Sequence, residues 1–283
     1  MEQAILLVQC PDQKGIVAKL SSFVLAHDAN IVSSYQYSTD PDGGRFFMRV
    51  KFVFDEDRYS RRIIEDGLHK LAEGLDARWQ IHYESRVMRM AIAVSRLDHC
   101  LADLLYRVHS GELRVEIPLV VSNHEDSREL VEGHGIPFHY LPVTKETKPE
   151  QEKRFLELIQ DSSNFLVLAR YMQVLSEDFL SGYGKDIINI HHSFLPSFAG
   201  ANPYRQAYER GVKIIGATAH FATSVLDEGP IIEQAVGRVT HKDKVESLKA
   251  KGRDLEKQAL ASAIRMYLEH RVIRDENKTI ILG

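Results

Sequence analysis

Residues 46–54 constrain the fold of this chain more than any other stretch. Phe46, Met48, Val50, Phe52 and Phe54 alternate with Phe47, Arg49, Lys51 and Val53. Side chains on a strand point to opposite faces in turn, so a two-residue period held this long specifies an extended strand with one apolar face. That face needs a cover, and the flanking sequence offers one. Ala4 to Val8 is a short apolar strand ended by Cys10-Pro11-Asp12. From Gly15 the apolar residues Ile16, Leu20, Phe23 and Val24 recur at helical spacing, which predicts a helix with one buried stripe. Ile31 to Ser38 reads as a second strand, and Asp40-Pro41-Asp42-Gly43-Gly44 as the turn into the long one. Ile63, Ile64, Leu68 and Leu71 mark another helix, after which Trp79, Ile81 and Tyr83 alternate again. The resulting order, βαββαβ, is ferredoxin-like and is expected to be a complete unit over residues 1–84.

The polar stretch Glu84-Ser85-Arg86 separates that unit from a second one, expected over residues 88–283. Here apolar strands at Met90–Val94, Val115–Val121, Phe165–Leu168, Ile187–Ile190, Ile214–Phe221 and Ile231–Val239 alternate with helical patterns. The helices fall at Leu101–Val108, Ser127–Gly133, Pro203–Arg210 and Lys244–Arg271, the last with Leu260, Ile264, Tyr267 and Leu268 on one face. The charged segment Thr144–Lys153 reads as a solvated loop and helix start. Alternation of this kind predicts an α/β domain, Rossmann-like, with a mainly parallel sheet covered on both faces. Ligands in such sheets sit outside the carboxyl ends of the strands.

Composition removes several function classes. Lys plus Arg number 36 and Asp plus Glu 40, a net charge of −4, so no basic face is expected to bind nucleic acid. Cys10 and Cys100 are the two cysteines, far apart and without metal-type spacing, which argues against a disulfide scaffold and for a reducing compartment. The opening MEQAILLVQCPDQKG has no basic start and meets Pro11 and Asp12 too soon for a signal peptide. No apolar run approaches the ~18 residues that span a bilayer. A cytoplasmic protein without a membrane partner is expected.

One constellation can do chemistry. Asn189 and His191 stand two residues apart at the end of an apolar strand, so both point the same way while Ile190 faces the core. Asp227-Glu228-Gly229-Pro230 precedes the next strand, and its Gly-Pro pair forces a turn that can aim Asp227 at the same cleft. An imidazole moves protons near neutral pH, an amide N–H steadies a developing oxyanion, and a carboxylate fixes the imidazole or holds a water. Together they suit attack of water or an amine on a carbonyl, and no G-x-S-x-G elbow supplies a serine nucleophile. Each residue also has a plain structural reading: Asn189 as a turn former, His191 as a surface hydrogen-bonding residue, Asp-Glu-Gly-Pro as a simple turn. His191-His192 invites a metal, but adjacent side chains on an extended segment diverge and no further ligands are specified, so no metal is expected. His220, inside an apolar strand, reads as a packed core or cleft-wall residue, and Cys100 as structural. Met172, in LARYMQVL, is either a core residue or part of a ligand-lining loop.

Residues 189–234 (NIHHSFLPSFAGANPYRQAYERGVKIIGATAHFATSVLDEGPIIEQ) resemble the signature region of the formyltetrahydrofolate-dependent formyltransferase fold. With Leu168–Leu175 they resemble the glycinamide ribonucleotide formyltransferases, whose Asn-x-His and Leu-Asp-x-Gly-Pro elements match Asn189, His191 and Asp227. The first 84 residues resemble an ACT domain, through Cys-Pro-Asp-Gln-Lys-Gly after the first strand and Asn30-Ile31-Val32 entering the second. An ACT domain ahead of this catalytic domain is the layout of the formyltetrahydrofolate deformylases. Ala201-Asn202-Pro203-Tyr204 also resembles them. One departure from the transferases points the same way. Where they carry a Gly- and Ser-rich phosphate loop, this chain has Val94-Ser95-Arg96-Leu97-Asp98-His99-Cys100, without glycine and with a carboxylate.

The resemblance implies hydrolysis of 10-formyltetrahydrofolate to formate and tetrahydrofolate, balancing the one-carbon folate pool and supplying formate for purine synthesis. It implies His191 as proton carrier, Asn189 as donor to the formyl oxygen, Asp227 as the group that positions water and supports His191, and no cofactor. Met172, Gln173 and Leu175 would line the pterin end. The first domain would bind a small amino-acid effector near Asp12, Gly15 and Asn30, or serve only as an oligomer interface, and the resemblance implies a homo-oligomer in either case. A formyltransferase to an amine acceptor and a regulatory binding protein with an inactive site are the alternatives.

Overall fold

The computed structural model describes residues 1–40, 42–196 and 203–283. Pro41 of the predicted turn, and Ser197, Phe198, Ala201 and Asn202 of the loop after His192, lie outside the described residues. The first elements are β1 (Glu2–Pro11), α1 (Ile16–Ala26), β2 (Asn30–Ser38), β3 (Arg45–Phe54), α2 (Arg61–Glu73) and β4 (Arg78–Tyr83). Their strands form an antiparallel sheet in the order β2-β3-β1-β4, the ferredoxin-like arrangement. Phe46, Met48, Val50, Phe52 and Phe54 are all buried, and they share one core with Leu6 and Val8 of β1, Leu20 and Phe23 of α1, and Ile64 and Leu68 of α2. Each such side chain contributes roughly 1.5–3 kcal/mol on burial.

The other face of the sheet is covered as well, which the alternation does not predict. Phe47 and Leu7 are buried against Ile273 and Leu282 from the end of the chain. Arg49 donates from Nε to the His270 carbonyl at 3.1 Å and from Nη2 to the Glu269 carbonyl at 3.0 Å. The compact unit is therefore Met1–Val87 together with Glu269–Asp275 and Ile280–Gly283. Residues 1–84 are not complete in themselves, because Leu7, Phe47 and Arg49 need a partner on the side away from the helices.

The second unit comprises Met88–Leu268 and Glu276–Thr279. Its elements are β5 (Met88–Val94), α3 (His99–His109), β6 (Val115–Glu116), β7 (Val120–Ser122), α4 (Arg128–Gly133), β8 (Phe138–Tyr140) and α5 (Lys148–Ile159). They continue with β9 (Phe165–Ala169), α6 (Glu177–Tyr183), β10 (Ile187–His191), α7 (Pro203–Arg210), β11 (Ile214–Phe221), β12 (Ile231–Arg238) and α8 (Val245–Leu268). A hairpin of β13 (Val272–Asp275) and β14 (Lys278–Ile281) closes the chain. The main sheet runs β12-β11-β10-β9-β5-β7-β8. From β10 to β8 all pairs are parallel, whereas β11 and β12 are antiparallel. The chain leaves β5 for β7 on one side and later returns to β9 on the other, so the sheet reverses its winding between β5 and β9.

The expected strand Val115–Val121 divides into β6 and β7, since Pro118 has no N–H to give to a ladder. The charged segment at 144–153 runs into α5, with Pro149 in its first turn. α6 was not expected, although Ser176 caps it by accepting from the Phe179 N–H at 3.1 Å. No helix among the described residues is long and apolar enough to cross a membrane.

Within the first unit, His82 and His270 stack with centroids 3.6 Å apart and planes 5° from parallel. Burial pushes His82 down to about 4, and burial, His82 and Arg49 push His270 down to about 3. Both rings stay neutral in the folded chain at pH values where the unfolded chain, with imidazoles near 6.5, takes up protons. Stability is thus present above pH 6.5 and lost as pH falls below it. Urea unfolding should show a loss of about 1–2 kcal/mol between pH 7 and pH 5, reduced by partial solvent exposure, and His82→Gln should flatten that slope.

Candidate active site

Asn189 and His191 share one face of β10, and the antiparallel register sets Asn189 opposite His220 and His191 opposite Thr218. Asn189 Nδ2 donates to His220 Nε2 at 3.1 Å, and His220 Nδ1 donates to the Phe221 carbonyl at 3.0 Å. The carbonyl fixes the ring as its Nδ1–H tautomer, so Nε2 offers the lone pair that Asn189 needs. Burial, with the side chain 2% exposed, pushes the His220 imidazole down and keeps it neutral.

Asp227 reaches this face from the connection between β11 and β12. His191 Nδ1 donates to Asp227 Oδ1 at 3.2 Å, and the same oxygen is 3.8 Å from His220 Nε2. The bond from His191 holds the Asp227 carboxyl below the usual range, against the opposing effect of burial. Two backbone features bring the loop here. Asp227 adopts a left-handed φ of 58°, which aspartate tolerates better than most residues. Gly229 passes so close to the strand that an added Cβ would lie 1.7 Å from the Phe221 carbonyl oxygen. Phe221 N–H bonds to the Pro230 carbonyl at 2.9 Å and closes the loop.

The chain after His191 is pinned by Thr218. Its hydroxyl donates to the Ser193 carbonyl at 3.0 Å and accepts from the Leu195 N–H at 3.1 Å and from Gln234 Nε2 at 3.0 Å. His191 Nδ1 is committed to Asp227, which leaves Nε2 as the ring nitrogen outside that contact. An amide, an imidazole and a carboxylate thus converge, with a second imidazole between them. His220 is the member that the sequence places in the core or the cleft wall, without a role in the site. Its signal was positional, since it stands across from Asn189, and that register is not visible along the chain.

Met172, Gln173 and Leu175 lie in the loop that leaves β9, the strand beside β10. Met172 is exposed and its N–H donates to Ser95 Oγ at 2.9 Å. Gln173 is half-buried, and Leu175 packs against the core of the second unit. Among the described residues, His99, Cys100 and Glu256 carry ligand-type atoms within 4.8 Å of one another. The Arg170 guanidinium is already ion-paired to Glu256 there, with Nε 3.3 Å from Oε2, and burial pushes the Cys100 thiol up. Neither suits a metal, which would need a thiolate and a free carboxylate.

Residues 88–264 match the formyl transferase family and residues 4–59 the ACT domain family. A formyltetrahydrofolate deformylase of Bacillus subtilis is 51% identical over 279 residues, covering 98% of this chain and 93% of its own. The chain belongs to the formyltetrahydrofolate deformylase family. It is a hydrolase by that membership. The solved deformylase of Pseudomonas syringae has a TM-score of 0.95 at 42% identity, covering 100% of this chain and 95% of its own. A glycinamide ribonucleotide transformylase of Symbiobacterium toebii reaches 0.64 at 28% identity, covering 71% of this chain and 97% of its own.

Gly229→Ala forces the Phe221–Gly229 approach apart and carries Asp227 with it. A displacement of the order of 1 Å costs roughly 100-fold in rate. We expect kcat to fall by about that factor while the far-UV circular dichroism is unchanged.

Proposed function

We propose that this deformylase-family chain hydrolyses 10-formyltetrahydrofolate to formate and tetrahydrofolate with Asn189, His191 and Asp227 as its catalytic residues. The observation that carries the reading is the hydrogen-bonded set Asn189–His220 and His191–Asp227 on one face of β10 and β11. Water attacks the formyl carbon and gives its proton to His191 Nε2, while the carbonyl π pair moves onto oxygen. Asn189 Nδ2 retains one N–H beyond the bond to His220, and it donates to that oxyanion. As the oxyanion collapses, the bond from carbon to N10 breaks, and His191 returns the proton to N10. Asp227 supports the charged imidazole during transfer and orients the water. Because its carboxyl is held below the usual range, protonation of Asp227 does not limit turnover at pH 6–8.

Exposed Met172 and half-buried Gln173, with Leu175 anchoring their loop in the core, bind the pterin end. The formate supplies purine synthesis and the reaction balances the folate pool. In the first unit, Gly15 (φ 87°) opens α1, Asp12 accepts from the Ser38 hydroxyl, and Asn30 begins β2, and a small amino acid binds near these three. The edge strand β2 exposes Ile31, Val32, Tyr35 and Tyr37, which supports pairing with a second copy in a homo-oligomer. Two buried free cysteines suit a reducing cytoplasm.

Purified chain given 10-formyltetrahydrofolate and no amine acceptor should release formate and tetrahydrofolate in equal amounts. Asn189→Ala should lower kcat by on the order of 10²–10³. A turnover that requires an amine, or an Asn189→Ala variant of full activity, contradicts the reading.

A further inference from the structure

The crevice between β5 and β9 is where the sheet reverses its winding, and open α/β sheets receive ligands at such a point, outside the carboxyl ends of their strands. The helix that follows β5 begins there, and the first turn of a helix favours an anion. In this chain the place is filled from above by Glu256 of α8. Its Oε2 is 2.8 Å from His99 Nε2, in the first turn of α3, and 3.3 Å from Nε of Arg170, the residue after β9. Its Oε1 accepts from the Tyr204 hydroxyl at 2.7 Å. Glu256 is 2% and Arg170 9% exposed.

The cluster is built at some cost. Arg170 takes a left-handed φ of 64°, and its Nε has no hydrogen-bond partner, only the ion pair. Tyr204 lies so tightly on α8 that a Cβ at Gly252 would meet its hydroxyl at 2.0 Å. Burial opposes the Glu256 charge, yet His99, Arg170 and Tyr204 hold the carboxyl below its ordinary range, so it stays an anion. The cluster also borders the catalytic strand, since the Tyr204 ring is 6.3 Å from that of His192, whose own ring is 5.1 Å from His191.

We infer that Glu256, with Arg170, His99 and Tyr204, is a specificity device that plugs the anion position at the switch point and so excludes phosphorylated amine acceptors. A phosphorylated acceptor would need that position to anchor its phosphate and present its amine to the formyl carbon. The plug offers a fixed carboxylate instead and neutralises the buried Arg170 guanidinium that would bind the phosphate, leaving water as the acceptor. The inference deepens the hydrolase reading and rests on it.

The test uses the full chain and inorganic phosphate. Glu256→Ala empties the position and frees Arg170, so phosphate should raise the melting temperature of the variant by several degrees and inhibit formate release at least about 10-fold more strongly than in the parent. Adding Arg170→Met should abolish the acquired response. If Glu256→Ala does not fold, Glu256→Gln keeps the volume, removes the charge and should show a smaller response in the same direction. A folded variant whose phosphate response equals that of the parent overturns the inference, as does a response that survives loss of Arg170. The melting shift needs no turnover. A parent that fails to hydrolyse the folate therefore defeats the hydrolase reading without being confused with failure of the plug.

Discussion

Asn189 and His220 face one another across the antiparallel β10–β11 pair, beside strands that run parallel from β10 to β8, and the candidate site depends on that pairing. With β11 reversed, its end lies beside the start of β10, and the loop to β12 folds back until Asp227 meets His191. The register matters as much as the direction. A slip of one residue turns His220 to the opposite face and leaves the Asn189 amide without its acceptor. An unsatisfied buried polar group costs about 1–3 kcal/mol, so these side chains stand or fall together.

The second polar cluster lies at the carboxyl ends of β5 and β9 and shares the same logic of mutual satisfaction. Glu256 is tolerated in the interior because two oxygens find a histidine, a tyrosine and a guanidinium. The two clusters differ in what they leave unused. In the first, the bonds His191–Asp227 and Asn189–His220 leave His191 Nε2 and one Asn189 N–H for the proposed proton transfer and oxyanion contact. In the second the carboxylate is fully engaged, and its service is to occupy space and charge.

Much of this architecture was legible along the chain. The alternation at 46–54 marks β3, the strand rule puts Asn189 and His191 on one side, and the Gly-Pro turn directs Asp227 back to them. What stayed hidden depends on distant partners. Phe47 and Arg49 looked like the solvent side of an alternating strand until residues 269–283 covered them. The short runs of β13 and β14 carry too few residues for a period to show, and the helix was expected to continue to Arg271. His220 gained its role from pairing register alone. Glu256 reads as one more charge on a long helix, and nothing local announces that three residues from other elements enclose it.

On the proposed reading, water receives the formyl group at the site formed by Asn189, His191 and Asp227. Turnover in ¹⁸O-labelled water tests it most directly, with the released formate analysed by mass spectrometry. Hydrolysis should yield formate that carries one labelled oxygen, formed without any amine present and lost in Asp227→Asn. Unlabelled formate, or labelled formate released equally fast by Asp227→Asn, would contradict it.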